Sequence, residues 1–227
     1  MRLMIKLSII LAAAVAIGCG VAASSASNVD VDLTGLAPTP AKTSDVKPGT
    51  TDTAVFAGGC FWGVDAVFKH VKGVTDVKSG YAGGKASGPS YEQVSTGETG
   101  HAESVKVTYD PAQISYTQLL TIFFSVAHDP TEKNRQGPDV GTQYRSAIFY
   151  VNDEQKKAAT DFIAAIENAK VFKKPVVTEV SQLNQFYEAE DYHQNYLALH
   201  PSDPYIVYND LPKLEALKKK FPDLYRQ

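Results

Sequence analysis

The sequence predicts an α+β domain, and three observations carry that prediction. Strand-like and helix-like stretches intermix without the regular βαβ repeat of a parallel sheet. In TAVFAGGCFWGVDAVFKHV (53–71) a short apolar run gives way, across Gly58-Gly59, to apolar residues at helical spacing: Phe61, Val64, Val67, Phe68 and Val71. In HAESVKVTYDP (101–111) Val105, Val107 and Tyr109 alternate with Ser104, Lys106 and Thr108, the period of a half-buried strand.

At the N-terminus, Arg2 and Lys6 precede the apolar run LSIILAAAVAIG (7–18). The run is too short to span a bilayer comfortably and suits a secretory signal, so residues 1–26 are expected to be a signal peptide with Ser24-Ser25-Ala26 near its cleavage site. AIGC (16–19) offers a second reading, a lipoprotein signal whose mature chain begins at a lipidated Cys19, although Ala16 stands where leucine is usual. Either way an exported protein is expected, periplasmic or secreted, and membrane-attached only through Cys19. Residues 27–50, rich in Pro, Thr, Ser and Asp, read as a flexible linker, and 51–227 as one domain. With 44% hydrophobic and 21% charged residues and a net charge of −3, the chain is an ordinary globular protein with no nucleic-acid footprint.

Within the domain, TAVFAG reads as a buried strand, and the helix after it starts at or near Cys60. GVTDVKSGYAGG is expected to be a strand ending in a glycine turn, and PSYEQVSTGETG a polar loop. On the next strand Glu103 shares the parity of the valines, so it either faces the core or sits wet at a frayed strand end. Ser115 and Gln118 form a capping box for a helix through LLTIFFSVA, closed by His128-Asp129-Pro130. TEKNRQGPDVGTQ (131–143) is a long polar loop, a place where function is often found. YRSAIFYV is a strand, Asn152 caps the helix DEQKKAATDFIAAIENA, KPVVTEVSQL is a strand, and EAEDYHQNYLALHP and PKLEALKKKF are helices.

GGCFWG raises the question of chemistry. Glycines beside Cys60 suggest that another group approaches the backbone closely. A core cysteine on a tight turn is one reading; a nucleophile beside an aromatic wall is the other. Unpaired N–H groups and the positive end of a helix dipole favour a thiolate, so a depressed pKa is expected for Cys60.

GGCFWG, GYAGG, TGHAESVKVTYDP, HDPT, GTQYRSAIFY and AEDYHQNYL occur in the order seen in peptide-methionine (S)-S-oxide reductases, the A-type methionine sulfoxide reductases, and the resemblance covers almost all of 53–204. It implies an α/β roll, a small mixed sheet flanked by helices in a ferredoxin-like arrangement. It implies that Cys60 is the nucleophile and Glu103 the acid that protonates the sulfoxide oxygen. Phe61 and Trp62 match the wall that holds the substrate's methyl group. Tyr91 and Tyr144 match hydroxyls that bond the oxygen, and Asp139 a carboxylate that acts on the site through water. The implied activity is repair of oxidised proteins by reduction of the S epimer of methionine sulfoxide, with a sulfenic acid at Cys60. A buried glutamic acid with a raised pKa can donate at neutral pH, and a flat indole accepts a methyl group where it excludes an oxygen.

The chain departs from the pattern in one respect. Many relatives carry resolving cysteines near the C-terminus; DLPKLEALKKKFPDLYRQ has none, and Cys19 is the only other thiol. Regeneration is therefore expected from an external thiol: thioredoxin, glutaredoxin or a small thiol. The histidines and the cysteines are not spaced as metal ligands, so no metal and no bound cofactor are expected, and a monomer is expected. Two rivals stand beside this reading. A cysteine hydrolase would pair Cys60 with His101 or His193 as base; a secreted binding module would use the aromatic surface near Trp62 and tolerate loss of Cys60.

Overall fold

In the computed structural model, which describes Leu33, Gly35 and residues 49–227, the first strand, β1 (Asp52–Gly58), is buried from Ala54 onward. Around it the chain lays down α1 (Phe61–Lys69), β2 (Val74–Ala82), α2 (Tyr91–Ser95), β3 (Ala102–Tyr109) and α3 (Tyr116–Ile122). A two-residue hairpin of β4 (Arg135–Gln136) and β5 (Asp139–Val140) follows, then β6 (Ser146–Tyr150) and α4 (Asp153–Asn168). The rest comprises β7 (Glu179–Gln182), β8 (Phe186–Glu188), α5 (Tyr196–Leu199) and α6 (Leu211–Lys220).

One sheet has the order β7-β6-β1-β3-β2-β8. Its neighbours are antiparallel except β6 and β7, which makes it mixed. The inner four strands with α1 and α3 form the β-α-β-β-α-β arrangement of ferredoxin-like folds, so the expected α+β class and roll are what the chain adopts.

The core lies between this sheet and its helices. Phe56 of β1 stacks on Phe68 of α1 (5.2 Å) and on Phe123 beyond α3 (4.8 Å). Val105, Val107 and Tyr109 of β3 are all buried there, as the alternation required. Burying each such side chain contributes about 1.5–3 kcal/mol. The opposite face buries smaller residues, Val55, Ala57, Ala82, Ala102 and Ala147, with Phe149. Both caps form: Ser115 and Gln118 close a capping box on α3, and Asn152 accepts from the Gln155 N–H at 2.8 Å. The Gln155 side chain then donates to the Thr53 carbonyl (2.7 Å), tying α4 to β1.

Some elements differ from expectation. PSYEQVSTGETG holds the short helix α2, closed by a capping box of Ser90 and Gln93. The helix through LLTIFFSVA widens to π geometry over Phe123–Ala127, where the Ser125 hydroxyl donates back to the Thr121 carbonyl. EAEDYHQNYLALHP is not one helix: Phe186–Glu188 form β8 against Gly80–Ala82, Asp191–His193 form a 3₁₀ turn, and only Tyr196–Leu199 is α-helical. The expected signal peptide and almost all of the expected linker lie outside the described residues. Leu33, within that linker, is 1% exposed and belongs to the main core cluster.

Candidate active site

β1 ends in the glycine turn that the sequence singled out. Gly59 has φ +89°, and a Cβ there would lie 2.5 Å from both Cβ and Cγ of Gln136. The group that approaches the backbone is therefore Gln136 on β4. Its amide accepts from the Asp129 N–H (2.9 Å) and donates to the Asp129 carbonyl (3.0 Å), which clamps the polar loop over the turn. Cys60 follows as the N-cap of α1, with no capping bond from its side chain, and is 8% exposed.

Glu103, near the start of β3, is 2% exposed, so its inward parity is real. It accepts a hydrogen bond from the Phe61 N–H at 3.0 Å, which places its carboxyl at the first turn of α1 beside Cys60. Burial pushes the Glu103 pKa up to about 8, and the nearby Asp139 and Asp210 charges add to this. Hydrogen bonds from the Phe61 N–H and the Cys60 side chain offset only part of it. The acid is mostly neutral at pH 7.

The thiol behaves differently from the sequence expectation. Burial is the largest influence on Cys60 and raises its pKa well above that of a free thiol; the charges of Glu103, Asp210 and Asp139 raise it further. Of the leading influences only the Trp62 N–H lowers it. Helix-terminus stabilisation acts in the predicted direction, but the desolvation of a buried anion outweighs it. The resting pair is thus a thiol beside a carboxylic acid.

An aromatic wall stands next to this pair. The Trp62 indole stacks on Tyr196 (centroids 3.7 Å, planes 7° apart), meets Tyr205 edge-on, and donates from Nε1 to His193 Nδ1 at 3.2 Å. Phe61 is 1% exposed, packed against Tyr81 and His193, so it backs the wall while half-buried Trp62 fronts it. The EDYHQ segment is held to the sheet by two side chains. Gln194 accepts from the Ser79 N–H and donates to the Ser79 and Ala189 carbonyls. Glu190 accepts from the Tyr81 hydroxyl (2.8 Å) and from the Tyr91 N–H (2.9 Å), so one carboxylate fixes both strand β2 and helix α2.

Tyr91, Tyr144 and Asp139 come to the same place from separate elements. Burial raises the pKa of both phenols, and the charges of Glu103 and Cys60 act on both, so they remain neutral donors. Tyr144 ends a 3₁₀ turn that the Gln143 amide pins to the Ser95 carbonyl. Asp139 accepts from the Tyr205 hydroxyl, and burial raises its pKa. Sequence reasoning missed Tyr205, Tyr196 and the pair of buried Asp210 and half-buried Lys213 (3.0 Å). That pair sits against α1: a Cβ on Gly63 would lie 2.1 Å from Asp210 Oδ1.

No histidine pairs with Cys60 as a base. The His101 ring is engaged by the Gly84 N–H and the Ala86 carbonyl, and His193 Nδ1 accepts a hydrogen bond from the Trp62 indole N–H. The hydrolase reading loses its base, while a thiol beside a neutral acid and two phenols suits attack on an atom whose oxygen must be protonated.

Comparison with known proteins agrees with this arrangement. A family model described as peptide methionine sulfoxide reductase matches residues 52–225. Peptide methionine sulfoxide reductase MsrA 2 of Mesorhizobium japonicum is 57% identical over 180 residues, which are 79% of this chain and 92% of that protein. MsrA 2 of Synechocystis sp. is 51% identical over 173 residues, 76% of this chain and 81% of the relative. Among solved structures, reduced Mxr1 of Saccharomyces cerevisiae superposes with a TM-score of 0.63 at 34% identity, covering 70% of this chain and 91% of that one. Methionine sulfoxide reductase A of Corynebacterium diphtheriae gives 0.60 at 34% identity, covering 73% and 84%. The motifs around Cys60, the roll that presents them and these relatives point one way, and the chain belongs to the peptide methionine sulfoxide reductase family.

Proposed function

We propose that Cys60 is the nucleophile and Glu103 the general acid of this enzyme. The activity follows from family membership: the chain is a peptide-methionine (S)-S-oxide reductase, a thiol-dependent oxidoreductase of protein repair. The observation that carries the residue assignment is the buried Glu103 carboxyl, held neutral at the first turn of α1 beside the thiol.

Cys60 sulfur attacks the sulfoxide sulfur while Glu103 gives its proton to the oxygen and recovers the proton of the thiol. The substrate sulfur gains two electrons and becomes a thioether; the Cys60 sulfur loses two and leaves as a sulfenic acid carrying the oxygen. Trp62 receives the methyl group, with Phe61 behind it. Tyr91 and Tyr144 donate to the oxygen, and Asp139, held by Tyr205, orders water at the mouth.

Cys60 is the only cysteine among the described residues. We therefore assign regeneration to an external thiol, which condenses with the sulfenic acid to a mixed disulfide and water; a second thiol then releases Cys60. Thioredoxin, glutaredoxin and small thiols all fit that role. The basic-then-apolar N-terminus supports export to the periplasm or beyond, with a lipid anchor if Cys19 is acylated, and a monomer suffices for the site. The test offers separated S and R sulfoxides of blocked methionine with excess dithiol. Turnover of S alone, abolished in Cys60→Ser, is expected; turnover of R, or activity without Cys60, would refute it.

A further inference from the structure

Six large apolar side chains are exposed among the described residues: Val140, Val151, Tyr192, Leu199, Val207 and Tyr208. Single exposed apolar residues need no explanation. Their distribution does, because five of the six lie in the two stretches that build the mouth of the site. Val140, 69% exposed, follows Asp139 on β5 and so points to the opposite face of that strand from it. The Tyr192 ring, on a residue 55% exposed, lies 4.2 Å from His193, the partner of Trp62. Leu199, 66% exposed, is one helical step (i, i+3) from Tyr196, on which Trp62 stacks. Tyr208, 77% exposed, is three residues beyond Tyr205, which holds Asp139.

We infer that Tyr192, Leu199 and Tyr208 form an apolar docking rim for the extended polypeptide on either side of the oxidised methionine. The inference rests on Cys60 as the reacting thiol. Cys60 is 8% exposed, so a methionine side chain must enter fully, and its backbone must then lie across the mouth. An extended chain advances about 3.3 Å per residue, so the first two residues on each side fall on the ground around the mouth. That ground carries exposed Tyr192, Leu199 and Tyr208, and tyrosines combine large area with a polar tip, which suits unfolded or partly unfolded segments whose apolar side chains are exposed. Acidic neighbours are disfavoured, because exposed Glu92 and Asp191 flank the rim at Tyr192.

The experiment compares two peptides, each carrying one S-methionine sulfoxide and soluble tails. One has leucine at the two positions on either side, the other serine. Blocked methionine sulfoxide serves as the reference. In the wild-type protein the leucine peptide is expected to have a kcat/KM about tenfold higher than the serine peptide, through KM, which corresponds to roughly 50 Å² of apolar contact. Tyr192→Ser combined with Leu199→Ser and Tyr208→Ser should remove that preference, with kcat and turnover of the blocked amino acid unchanged. Each single change should remove part of it. No preference in the wild type, or a preference that survives the triple change, would overturn the rim. Equal loss on the blocked amino acid would also overturn it, by making these residues supports of the pocket. Failure of the wild type on the blocked substrate would instead strike at the Cys60 reading, and the rim with it.

Discussion

Glu103→Gln tests the site at its centre, because one substitution should slow the chemistry and stabilise the fold. The carboxyl is buried and its pKa stands at about 8, against 4.5 for a free glutamate. At pH 7 about ten neutral acids exist for each ionised one, whereas an ordinary glutamate would be almost wholly ionised. A raised folded-state pKa means that the native protein binds a proton that the unfolded chain has released. Stability is therefore unaffected below about pH 4.5, falls between pH 4.5 and 8, and levels off above that range. At pH 7 the accumulated cost is about 3 kcal/mol at 1.36 kcal/mol per pH unit. Glutamine has no such cost and can still accept from the Phe61 N–H. Its melting temperature should exceed that of the wild type by roughly 5–10 °C at pH 7 to 8, and by little at pH 4.5. The same variant should form methionine at least about 10²-fold more slowly in a single turnover without reductant. In the wild type that rate should fall as pH rises through about 8, and the variant should lose this limb. A stability difference that does not change with pH, or a variant within threefold of the wild-type rate, would refute the reading of Glu103 as a neutral acid.

Three further outcomes are expected. Alkylation of Cys60 in the free enzyme should titrate above the ordinary thiol range, because burial and Glu103 raise its pKa; a midpoint below pH 8 would show that the helix terminus dominates after all. Gly63→Ala should cost about 1–3 kcal/mol in urea unfolding and lower activity, since its Cβ would press on Asp210 and Lys213; a neutral effect would mean that this pair can move aside freely. Without reductant the domain should make one methionine per active site and end one oxygen heavier, with a sulfenic acid that a dione traps, until added thiol restarts it; sustained turnover without thiol would overturn external regeneration.

The roll was legible because its strands keep their period. Val105, Val107 and Tyr109 alternate cleanly, and the same parity carried Glu103 inward. GGCFWG was legible as a site because two glycines beside a cysteine ask for a close neighbour, which is Gln136. The direction of the Cys60 pKa was not, since sequence shows a helix terminus but not how deeply it is buried. Tyr196 and Tyr205 escaped notice because a stack on Trp62 leaves no local signature. β8 escaped because three residues are too few to show a period. Asp210 went unread because nothing local in the sequence marks it as buried; the missing Cβ of Gly63 makes room for it.

The depth of Cys60 also bears on how the enzyme survives its surroundings. Peroxides react with thiolates far faster than with thiols, and a second or third oxidation of the same sulfur is beyond repair by ordinary thiols. A thiol that is 8% exposed and held protonated by its acidic neighbours offers such oxidants little to attack. In the proposed mechanism a bound methionine sulfoxide brings its own polar S–O group to the thiol and draws the Glu103 proton toward that oxygen, so the anion forms where a target already waits. On that proposal the catalyst is shielded from the damage it reverses: its sulfur offers little to free oxidant and becomes reactive towards oxidant already spent on a methionine.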